Sequence, residues 1–366
     1  MAKAHVRPLR EEVMKFSFAS WLTAAIAGVT AVSAMPAAAQ QQLTIASWGG
    51  TYQENQKEVL FTPFTAETGI AIREDNYLGG WAPFQPMADT GTYKWDVVQT
   101  EGPELLRGCE EGVFLKLDWS KIPNSDRLIP EAKGECGLGV VTIGSIIIYN
   151  TGAFATPPQK MTDFFDLEKF PGKRGIRKGP KINLEYALMA AGVDLNDIYK
   201  TLSTPEGLDL AFSKLDEIKS ELVTWEAGAQ PIDMVSGGSV VMSIAYNGRF
   251  AVAREDGRPI NAIWDKGTYS MDYWAVPAGT KDAEAAYSFL NFYADDERQA
   301  EFVKRTNYGP TARGAEDLLT PEKREMVPTV GRLKTHLFSS NTEALNFWLD
   351  NYPSLLERWN AWISSN

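Results

Sequence analysis

Aromatic rings and carboxylates are the residues best placed for chemistry in this chain, because they fall where β-type runs end. Trp48 and Tyr52 bracket a glycine pair after the run Leu43–Ala46, in TIASWGGTYQENQKEVLFTPFTAETGI. Glu101 follows Trp95–Gln99, and Trp225 precedes Glu226 and Gly228. Tyr246 closes Val240–Ala245, Asp272 lies next to Met271 at the start of another run, and Tyr308 precedes Gly309-Pro310. Ligands of open α/β sheets bind outside the carboxyl ends of strands, so these positions suit one shared crevice. An aromatic face beside a carboxylate is what an ammonium group needs: cation–π attraction and a charge-assisted hydrogen bond replace its water. For each ring taken alone, core packing is the competing account, and it stays open here.

Catalytic patterns are sparse. After residue 39 the chain holds one histidine, His336, so any Ser-His-Asp arrangement would have to use it. No GxSxG, HExxH, GxxxxGK[ST] or GxGxxG pattern occurs. One histidine and two cysteines make a zinc site a poor fit, and no metal or cofactor is expected. A glycosidase carboxylate pair has no sequence signature, so that class is not excluded by motif. The Gly49-Gly50 pair lacks a third glycine and a phosphate-binding lysine, which argues against a phosphate cradle. A loop that lean instead lets a ligand come close, with Trp48 and Tyr52 on either side.

The elements behind these positions come after a leader. Lys3, Arg7, Arg10 and Lys15 precede an uncharged run from Phe16 to Ala34, and Ala37-Ala38-Ala39 offers a small-x-small cleavage site. This is the pattern of a Sec signal peptide over residues 1–39, with a membrane anchor as the alternative. The 366-residue chain has a net charge of −11, and the leader carries four basic and two acidic residues, leaving −13 on the remainder. Such acidity opposes nucleic-acid binding and suits a cationic ligand. The two cysteines, Cys109 and Cys136, both lie in the exported part. In an oxidising compartment they are expected to pair, two separate buried thiols being the other possibility.

From residue 40 onward short β-rich runs alternate with helical periodicity, which argues an α/β fold. Val140–Tyr149 reads as a buried strand able to cross between lobes, and Ile260–Trp264 and Ser270–Val276 as two later strands. Phe170–Gly175 reads as a loop, Asp163–Leu167 as a helix start, and Asn183–Gly192 as a helix. Thr204-Pro205 marks a helix N-terminus. A Trp-rich helix runs over Ala344–Ser364. No low-complexity tether appears, so two lobes here would be joined by strands.

Within 241–307, MSIAYNGRFAVAREDGRPINAIWDKGTYSMDYWAVPAGTKDAEAAYSFLNFYADDERQAEFV resembles the periplasmic spermidine/putrescine-binding proteins, as do SWGGTYQENQ, WDVV and FPGKRGI. The resemblance implies a two-lobed solute-binding protein of an ABC importer, with no enzymatic activity. It would be a periplasmic monomer that closes on its ligand by hinge bending and delivers it to an inner-membrane permease. It implies one lobe from 40–141 plus 271–316 and another from 142–270 plus 317–366. Matched onto this chain, Trp48 and Tyr52 fall on first-loop aromatics, Tyr246 on a ring along the polyamine chain, and Asp272 on the amine-binding aspartate. Tyr308 falls on a site tyrosine and Glu185 near the second-lobe acid. Three features depart from the pattern: the glycine pair, Ser270 in place of a second Trp, and Arg249 after Asn247-Gly248. A guanidinium there can take a carboxylate bidentately, unless it points to water at its helix start. A diamine or polyamine is therefore the first expected ligand, and a zwitterion such as 4-aminobutyrate the alternative.

Overall fold

Two parallel sets of three short strands frame two long antiparallel ones in the computed structural model, which describes residues 41–365. The signal-peptide reading of residues 1–39 lies outside the described residues. In chain order the strands are β1 (Gln42–Ser47), β2 (Ala71–Asn76), β3 (Val97–Glu101), β4 (Gly137–Asn150) and β5 (Arg174–Arg177). They continue with β6 (Leu222–Trp225), β7 (Met242–Tyr246), β8 (Ile260–Ala275) and β9 (Leu337–Phe338). The sheet order is β2-β1-β3-β8-β4-β7-β5-β6, with β9 on β8. β1 is parallel to β2 and β3, and β5 is parallel to β6 and β7, while β8 runs antiparallel to both β3 and β4.

The long strands hold the fold together, because each belongs to more than one core. Val140 and Val141 of β4 pack in a first core with β1, β3 and the helix Ala283–Tyr293. Ile147 and Tyr149 of the same strand pack in a second core with the helices Asn183–Ala190 and Thr342–Ser364. Ile146 and Ile148 join a third cluster under the helix Asn247–Glu255. β8 repeats the pattern: Tyr273 and Trp274 lie in the first core and Ile263 in the second. This explains the near-continuous apolar run of β4, since a strand covered on both faces has no solvent face to leave polar. A third passage follows Leu333, which packs in the first core, and Leu337, which packs in the second.

Some expectations shift. Residues 260–275 form one strand rather than two: the polar Asp265-Lys266-Gly267 looks like a turn, but it lies in a bulge within the strand, where the register with β4 shifts between Ser145 and Ile147. Phe170–Gly175 is not all loop, because Arg174 begins β5. Its fully buried guanidinium donates to the carbonyls of Phe164, Gly172, Asp166 and Phe170, which is how a charge is tolerated there. The helix expected at Asp163 is a single 3₁₀ turn, Met161–Phe164. Thr204 caps the Pro205–Asp216 helix by accepting from the Gly207 N–H, as its sequence suggests.

Cys109, on the helix Gly102–Glu110, is bonded to Cys136 just before β4, closing a loop of sequence separation 27. The bridge ties that helix to the start of the crossing strand. A loop of this size corresponds to about 3–4 kcal/mol in the chain-entropy model. Replacing both cysteines by alanine should lower the unfolding free energy by that order, read as a lower denaturant midpoint. Reductant added to the unmodified chain should reproduce the shift. An unmoved midpoint would mean that the bridge contributes nothing to stability.

Candidate functional site

The first wall of the site is built around one carboxylate. β1 ends at Ser47, and the chain turns through Gly49 and Gly50 with φ of 71° and 54°. Glycine adopts this left-handed backbone without a Cβ penalty, so the glycine pair is a conformational device. The turn enters the helix Gly50–Gln56, where the Gln53 side chain accepts from the Gly49 N–H at 3.0 Å. It also directs the Trp48 indole inward, where Nε1 donates to Asp272 Oδ2 at 2.9 Å. Gln99 Nε2 donates to the same oxygen at 3.0 Å and to the Tyr52 hydroxyl at 2.8 Å, and Gln56 Nε2 donates to Gln99 Oε1 at 2.6 Å. Both donors reach Oδ2, so Oδ1 is left for whatever enters the cavity.

Asp272 sits opposite Glu101 in the β3–β8 ladder. Directly opposed side chains in an antiparallel pair have their Cβ atoms about 5 Å apart, so two carboxylates there repel. Burial, with Glu101 adding to it, pushes the Asp272 carboxyl up to about 7 against the lowering effect of Gln99 and Trp48. Tyr52 and Tyr308 meet edge to face at 6.1 Å, and burial raises both phenols, so they stay neutral. The Tyr308 ring lies on Gly248, where an added Cβ would come within 3.1 Å of it.

The second wall carries the opposite charge. β5 ends at Arg177, and the chain passes through Lys181 and Ile182 into the helix Asn183–Ala190. Ile182 has φ of 79°, a strained backbone for a β-branched residue. Asn183 Nδ2 holds this bend by donating to the carbonyls of Arg177 and Gly179, at 2.6 and 2.7 Å. Glu185, buried to 1% exposure, accepts at Oε1 from Trp348 Nε1 at 2.8 Å and from the Tyr199 hydroxyl at 3.3 Å. Its Oε2 is buried without a hydrogen-bond partner. Burial holds this carboxyl above the usual range, with Trp348 and Lys181 among the groups that oppose it. Arg249 is the third residue of the helix Asn247–Glu255 and lies near Tyr308. Neighbouring Lys178, Arg258 and Lys323 are paired with Glu226, Asp233 and Glu255. Among the described residues, Arg177, Lys181 and Arg249 are in no ion pair, and all three line the cavity.

The cavity between these walls has a volume of about 840 Å³. It brings together Tyr52, Glu101, Asp272, Tyr308 and Ser270 with Glu185, Tyr246 and Arg249. Two residues singled out from sequence stand behind it. Trp48 positions Asp272, and Trp225 is buried edge-on to Tyr246 at 5.9 Å. Tyr246 itself rests on Gly228, where a Cβ would come within 3.2 Å of the ring. The lone histidine of the described chain, His336, is buried elsewhere, its Nδ1 at 2.7 Å from the Arg332 carbonyl. Gln99, Arg177 and Lys181 were missed by sequence reasoning. Arg177 ends a strand that reads as loop, so the rule that located the other residues could not reach it; the signal was the basic cluster in RGIRKGPK.

Asp272 also makes the site costly to the ligand-free fold. An unfolded aspartate titrates near 3.9, whereas this one holds its proton to about 7. Its contribution to stability is therefore full below about pH 4 and lost as pH rises through about 7. Ligand-free Asp272→Asn should be more stable than the unaltered protein at pH 8 by roughly 2–4 kcal/mol, and the gap should close toward pH 4. Denaturant unfolding at the two pH values checks this; a pH-independent gap would show that the carboxyl titrates normally.

Comparison with known proteins agrees with this geometry. Residues 60–329 match the family described as bacterial extracellular solute-binding protein. The chain is 39% identical over 334 residues to the gamma-aminobutyric acid-binding protein of Pseudomonas aeruginosa, covering 91% of this chain and 94% of that protein. It is 25% identical over 324 residues to the spermidine/putrescine-binding periplasmic protein of Escherichia coli K12, covering 81% and 87%. A solved structure of the Atu4243-GABA receptor matches with a TM-score of 0.72 at 29% identity, over 89% of this chain and 98% of that one. The chain thus has the two-lobed fold of its structural neighbours and belongs to the bacterial extracellular solute-binding proteins, which bind small ligands and work with ABC permeases.

Proposed function

We propose that this protein binds a small ω-amino acid of the 4-aminobutyrate type and presents it to an inner-membrane ABC permease. The observation that carries the reading is the separation of charge across the cleft. Asp272, with a free oxygen and two donors holding the other, lies on one wall, and unpaired Arg177 and Arg249 lie on the other. A ligand with an ammonium at one end and a carboxylate at the other satisfies both walls at once. A polyamine would leave the guanidinium groups facing cations. The order of ligands drawn from sequence therefore reverses, and the more similar relative supports the reversal, being a gamma-aminobutyric acid-binding protein.

In this reading Asp272 accepts the ammonium, the Tyr246 and Tyr308 rings cover the aliphatic chain, and Arg249 takes the carboxylate with Arg177 beside it. The lobes are 40–141 plus 271 to about 333, and 142–270 plus the remainder. The extension beyond residue 316 is supported by Leu319, Val327 and Leu333 in the first core. The protein acts as a periplasmic monomer and catalyses nothing. His336, the one imidazole among the described residues, is buried away from the cavity lining.

Calorimetry with 4-aminobutyrate, putrescine and spermidine tests the assignment. The ω-amino acid should bind at least about tenfold more tightly than either amine, a difference of about 1.4 kcal/mol. Asp272→Asn should abolish binding. Arg249→Ala should weaken 4-aminobutyrate by about 2–5 kcal/mol, the usual consequence of stranding one partner of a desolvated charge pair, and should leave putrescine no weaker. Tight putrescine binding with no 4-aminobutyrate binding would overturn the proposal.

A further inference from the structure

The cleft contains a second buried carboxylate that a zwitterion does not need. Glu185 lines the same cavity as Asp272, is 1% exposed, and has an Oε2 with no hydrogen-bond partner. Two carboxylates on opposite walls, with aromatic rings between them, are a receptor for a diamine, which contradicts the cationic character of the same wall. Lys181 resolves the contradiction. It stands four residues before Glu185, lines the same cavity and is half-buried; it makes no contact ion pair among the described residues, so its charge acts on Glu185 at longer range. Burial lowers its ammonium pKa, and of the charges that act on it Glu185 opposes that most strongly, followed by Arg177 in the other sense. On Glu185, Lys181 is the cation that draws the carboxyl back down. The bend that carries Lys181 is held in place by strained Ile182 and the two hydrogen bonds of Asn183.

We propose that the Lys181 ammonium is a built-in counter-ion for Glu185, a tethered substitute for a second amine, and that it is the specificity-determining residue by which this cleft rejects diamines. The inference rests on the zwitterion reading of the site. Lys181 neutralises the one acid that lines the second wall and repels an incoming ammonium there, so the amine-accepting carboxylates, Asp272 and its neighbour Glu101, are confined to the first wall. Removing that charge, with the stem length kept, exposes Glu185 to the ligand.

The test is calorimetry of putrescine and 4-aminobutyrate on the mature chain and on Lys181→Met, Lys181→Arg and the double variant Lys181→Met/Glu185→Gln. Putrescine affinity should rise at least about tenfold in Lys181→Met, corresponding to about 1.4 kcal/mol. It should not rise in Lys181→Arg, and the gain should vanish in the double variant. Lys181→Gln gives a second neutral variant should the methionine impair folding. No gain in either neutral variant, or a gain that survives Glu185→Gln, overturns the inference. An unaltered protein that binds 4-aminobutyrate while Lys181→Met still ignores putrescine sinks this inference alone. An unaltered protein that fails to bind 4-aminobutyrate sinks the zwitterion reading beneath it as well.

Discussion

A carboxylate buried beside another carboxylate is the constraint that organises this molecule. Asp272 is 8% exposed and faces Glu101 across the β3–β8 ladder. Such a group persists only if its surroundings supply hydrogen bonds in place of water. Those come from two separate pieces of chain, the indole after β1 and Gln99 within β3. Gln99 is in turn held by Gln56 and by the Tyr52 hydroxyl. The glycine turn, the Gly50–Gln56 helix and the strand order of the first lobe all serve to bring these donors to one oxygen. Displacing any of them leaves a buried charge or a buried donor without a partner, which costs more than an ordinary hydrogen bond contributes.

The second wall solves a different problem. Its cations are held by backbone rather than by counter-ions: the end of β5 carries Arg177, a strained bend carries Lys181, and the first turn of a helix carries Arg249. Leaving the two guanidinium groups unpaired keeps them available to a ligand, at the cost of mutual repulsion. Glu185 moderates that repulsion from inside the wall, while Trp348 and Tyr199 fix its Oε1. The two walls are separate units of packing joined by β4 and β8, so the charges can approach or separate as the strands flex. Rigid cores with a bend confined to connecting strands are the usual basis of hinge closure.

Much of this was legible in the sequence, for reasons that can be traced residue by residue. β4 was visible because a strand covered on both faces must be apolar throughout, and the Pro205–Asp216 helix because Thr204-Pro205 is a cap with a mechanism. Tyr246 and Arg249 were found because they follow a recognisable strand end, Tyr308 because it precedes Gly309-Pro310, and Asp272 because it opens the run Ser270–Val276. Arg177 and Lys181 escaped because β5 is four residues long and begins with a buried arginine, which no periodicity argument would place inside a core. The indole of Trp48 shows a second limit. Sequence marks an aromatic at a strand end, but not whether its face or its N–H is used, and here the N–H on Asp272 matters. The join of 260–264 to 270–276 was hidden because a polar tripeptide inside a bulged ladder has the same composition as a turn.

The same features proposed to make the site specific also strain the ligand-free protein, and this links chemistry to motion. Without ligand, Asp272 is ionised only against burial and Glu101, and Arg177 and Arg249 face solvent without counter-ions. A zwitterion relieves both strains, but only if both walls reach it, because its two charges are at opposite ends. Relief of the second strain therefore requires closure, whereas binding to one wall alone does not. A ligand shifts a conformational equilibrium only by its difference in affinity for the two states. In this cleft that difference arises from the second charged end of the ligand. A monoamine that satisfies Asp272 alone would leave the second wall unmet, so on the proposed reading discrimination between ligands and closure of the lobes derive from the same pair of charges.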